Sequence, residues 1–220
     1  MTQELLNLAL ATFVTFFVLI DPPGVAPVFA SLTAPGGPKF ARKMAFKSVI
    51  VAAIIIVGFA FGGAWLLGAL HISIDAFRAA GGILLFLIAL DMVFEKRQER
   101  RESRAEALLE DEEHKELDDV SVFPLGIPML AGPGSIATAM LYMQNSSGNA
   151  VEQGIVIGAI LANLLLCYFV FLGAAPLIRM MGDSVAGAIT RIFGVILAAL
   201  SVQLLIDGIK GAFGLVGVGH

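Results

Sequence analysis

Residues 5 to 33 contain a single charged side chain, Asp21, and a nearly uncharged run of that length decides the class of fold. A helix crosses the ~30 Å hydrocarbon core of a bilayer with about 20 mostly apolar residues. Comparable runs recur at residues 45 to 70, 74 to 94, 120 to 144, 151 to 178 and 184 to 211. With 58% hydrophobic and 15% charged residues, the chain lacks the polar surface of a soluble domain. No alternation at strand spacing marks the runs, which disfavours a transmembrane barrel and leaves helices. The expected fold is an all-α integral membrane protein with six transmembrane helices.

Basic residues set the direction of insertion. Lys39, Arg42, Lys43 and Lys47 follow the first run, and Lys96, Arg97, Arg100, Arg101, Arg104 and Lys115 follow the third. The connections after the second and fourth are poor in Lys and Arg. The basic connections belong on the cytoplasmic side, so both termini are expected outside, in the periplasm of an inner-membrane protein. The segment "EKRQERRESRAEALLEDEEHKELDD" then forms a charged cytoplasmic helix or linker. The amino end lacks the basic region of a cleavable signal peptide. Cys167 is the one cysteine, so no intramolecular disulfide is available.

The two halves resemble each other. Asp21-Pro22-Pro23-Gly24 aligns with Ala131-Gly132-Pro133-Gly134, and "RAAGGILLFL" from Arg78 with "RIFGVILAAL" from Arg191. The second spans share Gly-x-x-x-Gly, as Gly58 with Gly62 and Gly154 with Gly158, a spacing that permits close packing within one bundle or a homo-oligomer. Three spans per half is odd, so the halves must insert in opposite senses, as an inverted-topology repeat. The expected organisation is a first three-helix repeat (1–94), a charged linker (95–119), a second, inverted repeat (120–211) and a C-terminal tail (212–220).

Proline removes a backbone donor and pushes the preceding residue out of helical geometry, so "DPPG" should break the first span and "AGPG" the fourth. Hydrocarbon cannot satisfy the freed groups, so such breaks belong where they are buried in protein or line a cavity. Asp21 suits the cap of a half-helix, and its carboxylate favours a cation. Gly132 and Gly134 around Pro133 leave N–H groups at a half-helix start, with Ser135 as a further donor, which favours an anion. A small zwitterion carries both charges. The candidate substrate-binding residues are therefore Asp21, Pro22, Pro23, Gly24, Ala131, Gly132, Pro133, Gly134 and Ser135. The bland alternative is a pair of structural kinks with Asp21 as a satisfied cap.

Thr15, Asp91, Thr138 and Asn163 are candidates for the pathway or for coupling; Thr12 also precedes the first break. Each has a structural alternative. Asp91 suits an interfacial site, Asn163 an interhelical bond, and the threonines a bond to their own helix carbonyls. Arg78 and Arg191 read as interface anchors. His71, His114 and His220 fall outside the apolar runs, so no intramembrane metal site is expected and no base is placed to activate Ser135. A P-loop is absent, and nothing points to nucleic acid. No enzymatic activity and no cofactor are expected.

"FFVLIDPPGVAPVFASLT", "FRAAGGILLFLIALDMVFEK" and "VFPLGIPMLAGPGSIATAM", in this order and spacing, resemble the MarC family of bacterial and archaeal inner-membrane proteins. The similarity covers about residues 5 to 211. The family is grouped with the lysine-exporter-like superfamily, and some relatives, called SnatA, are described as small neutral amino acid transporters with glycine and alanine as typical substrates. The resemblance implies a six-helix secondary transporter with two inverted halves, in which Asp21 to Gly24 and Ala131 to Ser135 are signature positions. The expected function is transport of a small neutral amino acid by alternating access, coupled to Na+ or H+ because no ATP site is present. Export of another metabolite or an inorganic cation, and a non-transporting scaffold acting through the charged loop, are the competing readings.

Overall fold

The computed structural model describes residues 2–94, 103 and 119–215. Nearly all of the charged segment, together with His114 and His220, lies outside the described residues. The described elements are helical, without a strand among them, as the apolar runs predict.

Helix α1 (Thr2–Ile20) and helix α2 (Pro22–Thr33) are separated by Asp21 alone. A short 3-10 turn, Ala34–Gly36, leads into α3 (Gly37–Ala69). Helix α4 (Ile74–Val93) follows, capped by Ser73, whose hydroxyl accepts from the Ala76 N–H at 3.2 Å. After the charged segment come α5 (Ser121–Leu130), α6 (Pro133–Asn145), α7 (Ala150–Leu172) and α8 (Ala174–Ala212). Asn149 caps α7 by accepting from Val151 and Glu152.

Three boundaries differ from the sequence expectation. Helix α3 begins at Gly37 rather than near 45, because Pro38 suits a first turn and exposed basic side chains do not stop a helix. At ~1.5 Å per residue its 33 residues exceed the bilayer thickness, so Lys39, Arg42 and Lys43 extend beyond the hydrocarbon on the helix itself. Helix α7 ends at Leu172 rather than 178, where the Gly173 N–H closes on Phe169 O, and α8 starts at once. Pro176 falls in the first turn of α8, where a missing N–H costs nothing.

The fourth span departs most. Its first part, α5, is not a regular helix: wide i→i+5 hydrogen bonds join Leu125 N to Val120 O and Ala131 N to Gly126 O. Phe123 and Ile127 are extended, with φ/ψ of −128°/129° and −127°/126°. Each precedes a proline, Pro124 and Pro128, whose ring excludes the helical region for its neighbour. The segment packs along α3, and a methyl at Gly126 would lie 2.9 Å from Val51 Cγ1. Helices α5 and α6 meet at 58°.

Helix α4 packs along α8, α1 along α7, and α3 along α5 and α6, while α3 also meets α7. Exchanging the first three spans for the last three maps these pairings onto one another. Glycines make the α4–α8 crossing close: a methyl at Gly82 would lie 2.7 Å from Leu205 N, and one at Gly208 2.6 Å from Ala79 N. Gly58, Gly62, Gly154 and Gly158 instead face open space, so these pairs pack no helix within the described chain. The larger core cluster includes Phe16, Phe29, Ile56, Leu130 and Leu164.

Contacts at the ends tie the spans together. Arg78 donates to Asp75 at 3.1 Å and to Asn145 of α6 at 2.6 Å. Lys47 Nζ donates to Asp119 Oδ2 at 2.5 Å, and Ser121 donates to Asp119 through its N–H at 3.1 Å and through its hydroxyl. The Lys47 hydrogen bond, followed by that of the Ser121 hydroxyl, lowers the Asp119 pKa from 3.8 to about 2.

Candidate functional site

At the first break Asp21 is left-handed, with φ 55° and ψ 62°. Asp is among the few non-glycine residues that visit this region, because its short side chain bonds locally. Pro22 and Pro23 occupy the first turn of α2, where no N–H is required. The fully buried carboxylate accepts from the Gly24 N–H at 3.2 Å and from the Thr190 hydroxyl of α8 at 3.2 and 3.3 Å to its two oxygens. Gly24 is required by crowding: a methyl there would collide with the Asp21 carboxylate and lie 2.9 Å from Thr190 Oγ1. Pro27 lacks the N–H that would make the regular i→i+4 bond to the Pro23 carbonyl.

At the second break Gly132 is extended and α6 begins at Pro133 without a side-chain cap. Its first-turn N–H groups therefore have neither an intrahelical partner nor a capping carboxylate, and the positive end of the helix dipole is uncompensated by a side chain. Ser135 is buried in that turn. A methyl at Gly134 would lie 2.8 Å from Ile88 Cδ1, 3.0 Å from Leu85 Cδ2 and 3.3 Å from Leu19 Cδ2. Leu19 is two residues before Asp21, so the two breaks neighbour each other across one side chain.

Between α1 and α6 runs a polar seam. Thr15 Oγ1 and Tyr142 OH are 3.1 Å apart, and Phe16 and Tyr142 set their rings 6.4 Å apart. Thr138 lies one turn from both Gly134 and Tyr142. On α7 the Asn163 amide donates to Phe13 O and to Ala159 O, each at 3.0 Å. Among the described residues, three buried side-chain polar atoms have no hydrogen-bond partner: Thr12 Oγ1, Thr138 Oγ1 and Asn163 Oδ1.

Thr15 of α1 thus meets Tyr142 of α6, the helix that carries Thr138 one turn away, and Asn163 of α7 meets the α1 backbone at Phe13. Asp91 is half-buried in the last turn of α4, one turn beyond Ile88, and the neighbouring Met92 and Val93 pack on Gly194 of α8. Sequence reading missed Thr190 and Tyr142; the only signal was a polar side chain at each position in apolar surroundings. Among the described residues no group of three or more His, Cys, Asp or Glu is placed to hold a metal ion.

Residues 6–213 match the profile described as MarC family integral membrane protein. A UPF0056 membrane protein of Methanocaldococcus jannaschii is 40% identical over 91% of this chain and 95% of its own length. The UPF0056 membrane protein YvbG of Bacillus subtilis is 35% identical over 91% of this chain and 93% of its own, and YhcE of Escherichia coli 33% over 91% of each. No solved structure matches the chain.

Proposed function

This chain belongs to the MarC family of integral membrane proteins, and from that premise we propose that it is a secondary transporter of a small neutral amino acid, of the glycine or alanine type. One observation carries the reading: a buried carboxylate and an uncapped half-helix start, on different spans, neighbour each other through Leu19 and Gly134. A zwitterion is the small solute that both ends suit. Its ammonium takes Asp21 and the Pro23 carbonyl; its carboxylate takes the N–H groups at Gly134 and Ser135. The contacts to Leu85 and Ile88 leave little width beside Gly134, which favours small side chains.

The reading includes six spans in two inverted halves. At ~1.5 Å per residue, the apolar stretch Gln3–Ala69 is about three bilayer thicknesses long, which supports dividing it at the Ala34–Gly36 turn. The exchange of packing partners between halves supports the repeat. Rocking of one half on the other exposes the site alternately to each side, and a Na+ or H+ gradient drives it without an enzymatic step or a cofactor. The protein sits in the inner membrane with both termini outside and residues 95–119 in the cytoplasm. Gly58 and Gly62, facing open space, suit self-association.

Purified protein in liposomes, assayed for counterflow of labelled glycine and alanine under a Na+ gradient, a pH gradient or neither, tests the proposal. Wild type exchanges at least one amino acid, and Asp21→Asn, still folded, is slower by about tenfold or more, the usual loss of one charged hydrogen bond. Folded wild type that exchanges neither amino acid under any gradient overturns the substrate assignment.

A further inference from the structure

A cavity of about 390 Å³ lies at the end of the bundle where α2 and α7 finish and α3 and α8 begin. Its buried wall is apolar. Phe29 of α2 and Phe171 of α7 stack face to face with ring centroids 4.3 Å apart, beside Ala174 of α8. The Thr33 hydroxyl in the same wall already donates to Phe29 O at 2.8 Å. The exposed lining residues are of another kind: Pro38 and Arg42 of α3, one turn apart, and Leu172 of α7. Thr33 is about 18 Å along α2 from Asp21 at ~1.5 Å per residue, so this cavity is distinct from the two breaks.

The charge at its mouth is unmatched. Further along α3, Lys47 pairs with Asp119, and on α4 Arg78 pairs with Asp75. Among the described residues Arg42 has no ion-pair partner, and the sequence holds no acid between Asp21 and Asp75. Lys39 and Lys43, both exposed, flank it on the first turns of α3. A small free anion would satisfy the guanidinium and leave the apolar wall unfilled. A neutral lipid would fill the wall and leave the guanidinium without a counter-charge. An amphiphile with an anionic head uses both. Basic pockets between membrane helices at the cytoplasmic side suit the head groups of anionic lipids, and this is the basic end of the chain.

We propose that the cavity between α2, α3 and α7 binds an anionic phospholipid, with its phosphate on Arg42 and part of an acyl chain against Phe29 and Phe171.

The test uses full-length protein in a neutral detergent. Thermal unfolding is followed as phosphatidylglycerol, phosphatidylcholine with the same acyl chains, or inorganic phosphate is titrated. Phosphatidylglycerol should stabilise wild type at about tenfold lower concentration than phosphatidylcholine, and inorganic phosphate should not stabilise it. Arg42→Gln folds, because the side chain is exposed and unpaired, and should weaken the phosphatidylglycerol response about tenfold or more. Arg42→Lys, which keeps the charge but not the two-pronged contact, recovers part of it. Lys43→Gln, which removes a flanking surface charge, changes it by about threefold or less. Ala30→Leu enlarges a half-buried lining residue and should also weaken the response about tenfold with every charge in place. The site is overturned by wild type that responds to none of the three, or equally to both lipids, or equally to inorganic phosphate, which makes it a simple anion site. Equal losses in Arg42→Gln and Lys43→Gln mean diffuse attraction to a basic surface and overturn it too, as does an undiminished response in Ala30→Leu. No readout involves an amino acid, so the lipid site stands or falls independently of the transport function proposed above.

Discussion

At the first break the new half-helix carries its own anion; at the second it carries none. Asp21 reaches from the residue before Pro22 to the Gly24 N–H and is held from the other side by Thr190. Gly132, the residue before Pro133, has no side chain to do the same. Two interruptions at matching places in the sequence are therefore electrostatically opposite, one ending in a carboxylate and one in uncapped N–H groups. They also differ in how firmly they are fixed. The Asp21 turn is a closed cluster of backbone, carboxylate and hydroxyl, whereas the atoms nearest to a methyl placed at Gly134 are the ends of aliphatic side chains.

The sharpest way to break this comparison is to add one methyl to each turn. In Gly24→Ala the methyl meets a carboxylate and a hydroxyl that are already hydrogen-bonded to each other, so neither moves without loss. We expect destabilisation of about 3 kcal/mol, seen as a large drop in thermal midpoint and in folded yield. Gly134→Ala meets only rotatable Leu and Ile methyls and should cost about 1 kcal/mol or less. Its effect should instead appear in exchange of glycine and alanine, because the added group narrows the turn assigned to the carboxylate. Equal destabilisation by both substitutions would mean that the second turn is as rigidly packed as the first.

A smaller effect separates the charge of Asp21 from its shape. Asn tolerates the left-handed region and still caps, so Asp21→Asn should retain most of the stability while losing the negative charge. Asp21→Ala loses the cap and strains the backbone as well, and should cost about 2–3 kcal/mol in chemical unfolding. Thr190→Val removes one donor to the carboxylate, at about 1–2 kcal/mol. If Asn and Ala destabilise equally, the negative charge itself holds the turn and the capping account is incomplete.

The apolar runs made the membrane class and the approximate spans legible, because chain length against bilayer thickness is a one-dimensional argument. The Asp21 cap was legible for the same reason, since Asp before two prolines has few other uses. The irregular backbone of α5 was not anticipated, although Pro124 and Pro128 stand in plain view, because hydropathy counts them as interruptions too short to matter. Thr190 was invisible: its partner is 169 positions away, and only the packing of α2 on α8 brings the two together. The start of α3 was placed too late because charge was read as the end of a helix, when it marks only the end of the hydrocarbon.

The smallest predicted effect concerns what holds the second interrupted span at its approach. Asp119, just before α5, is clamped by Lys47 of α3 and by Ser121. A carboxyl whose pKa is lowered in the folded chain stabilises it at pH values above the unfolded pKa, and that contribution is lost as pH falls through the folded one. With Asp119 lowered from 3.8 to about 2, the loss falls between those two values. The Asp119 side chain is 46% exposed, so solvent screening keeps the contribution below about 1 kcal/mol. In Asp119→Asn the thermal midpoint at neutral pH should fall slightly. The gap from wild type should close as the pH is lowered from 4 to 2, and a gap that stays constant would remove the Lys47 clamp from the account of how α5 is held.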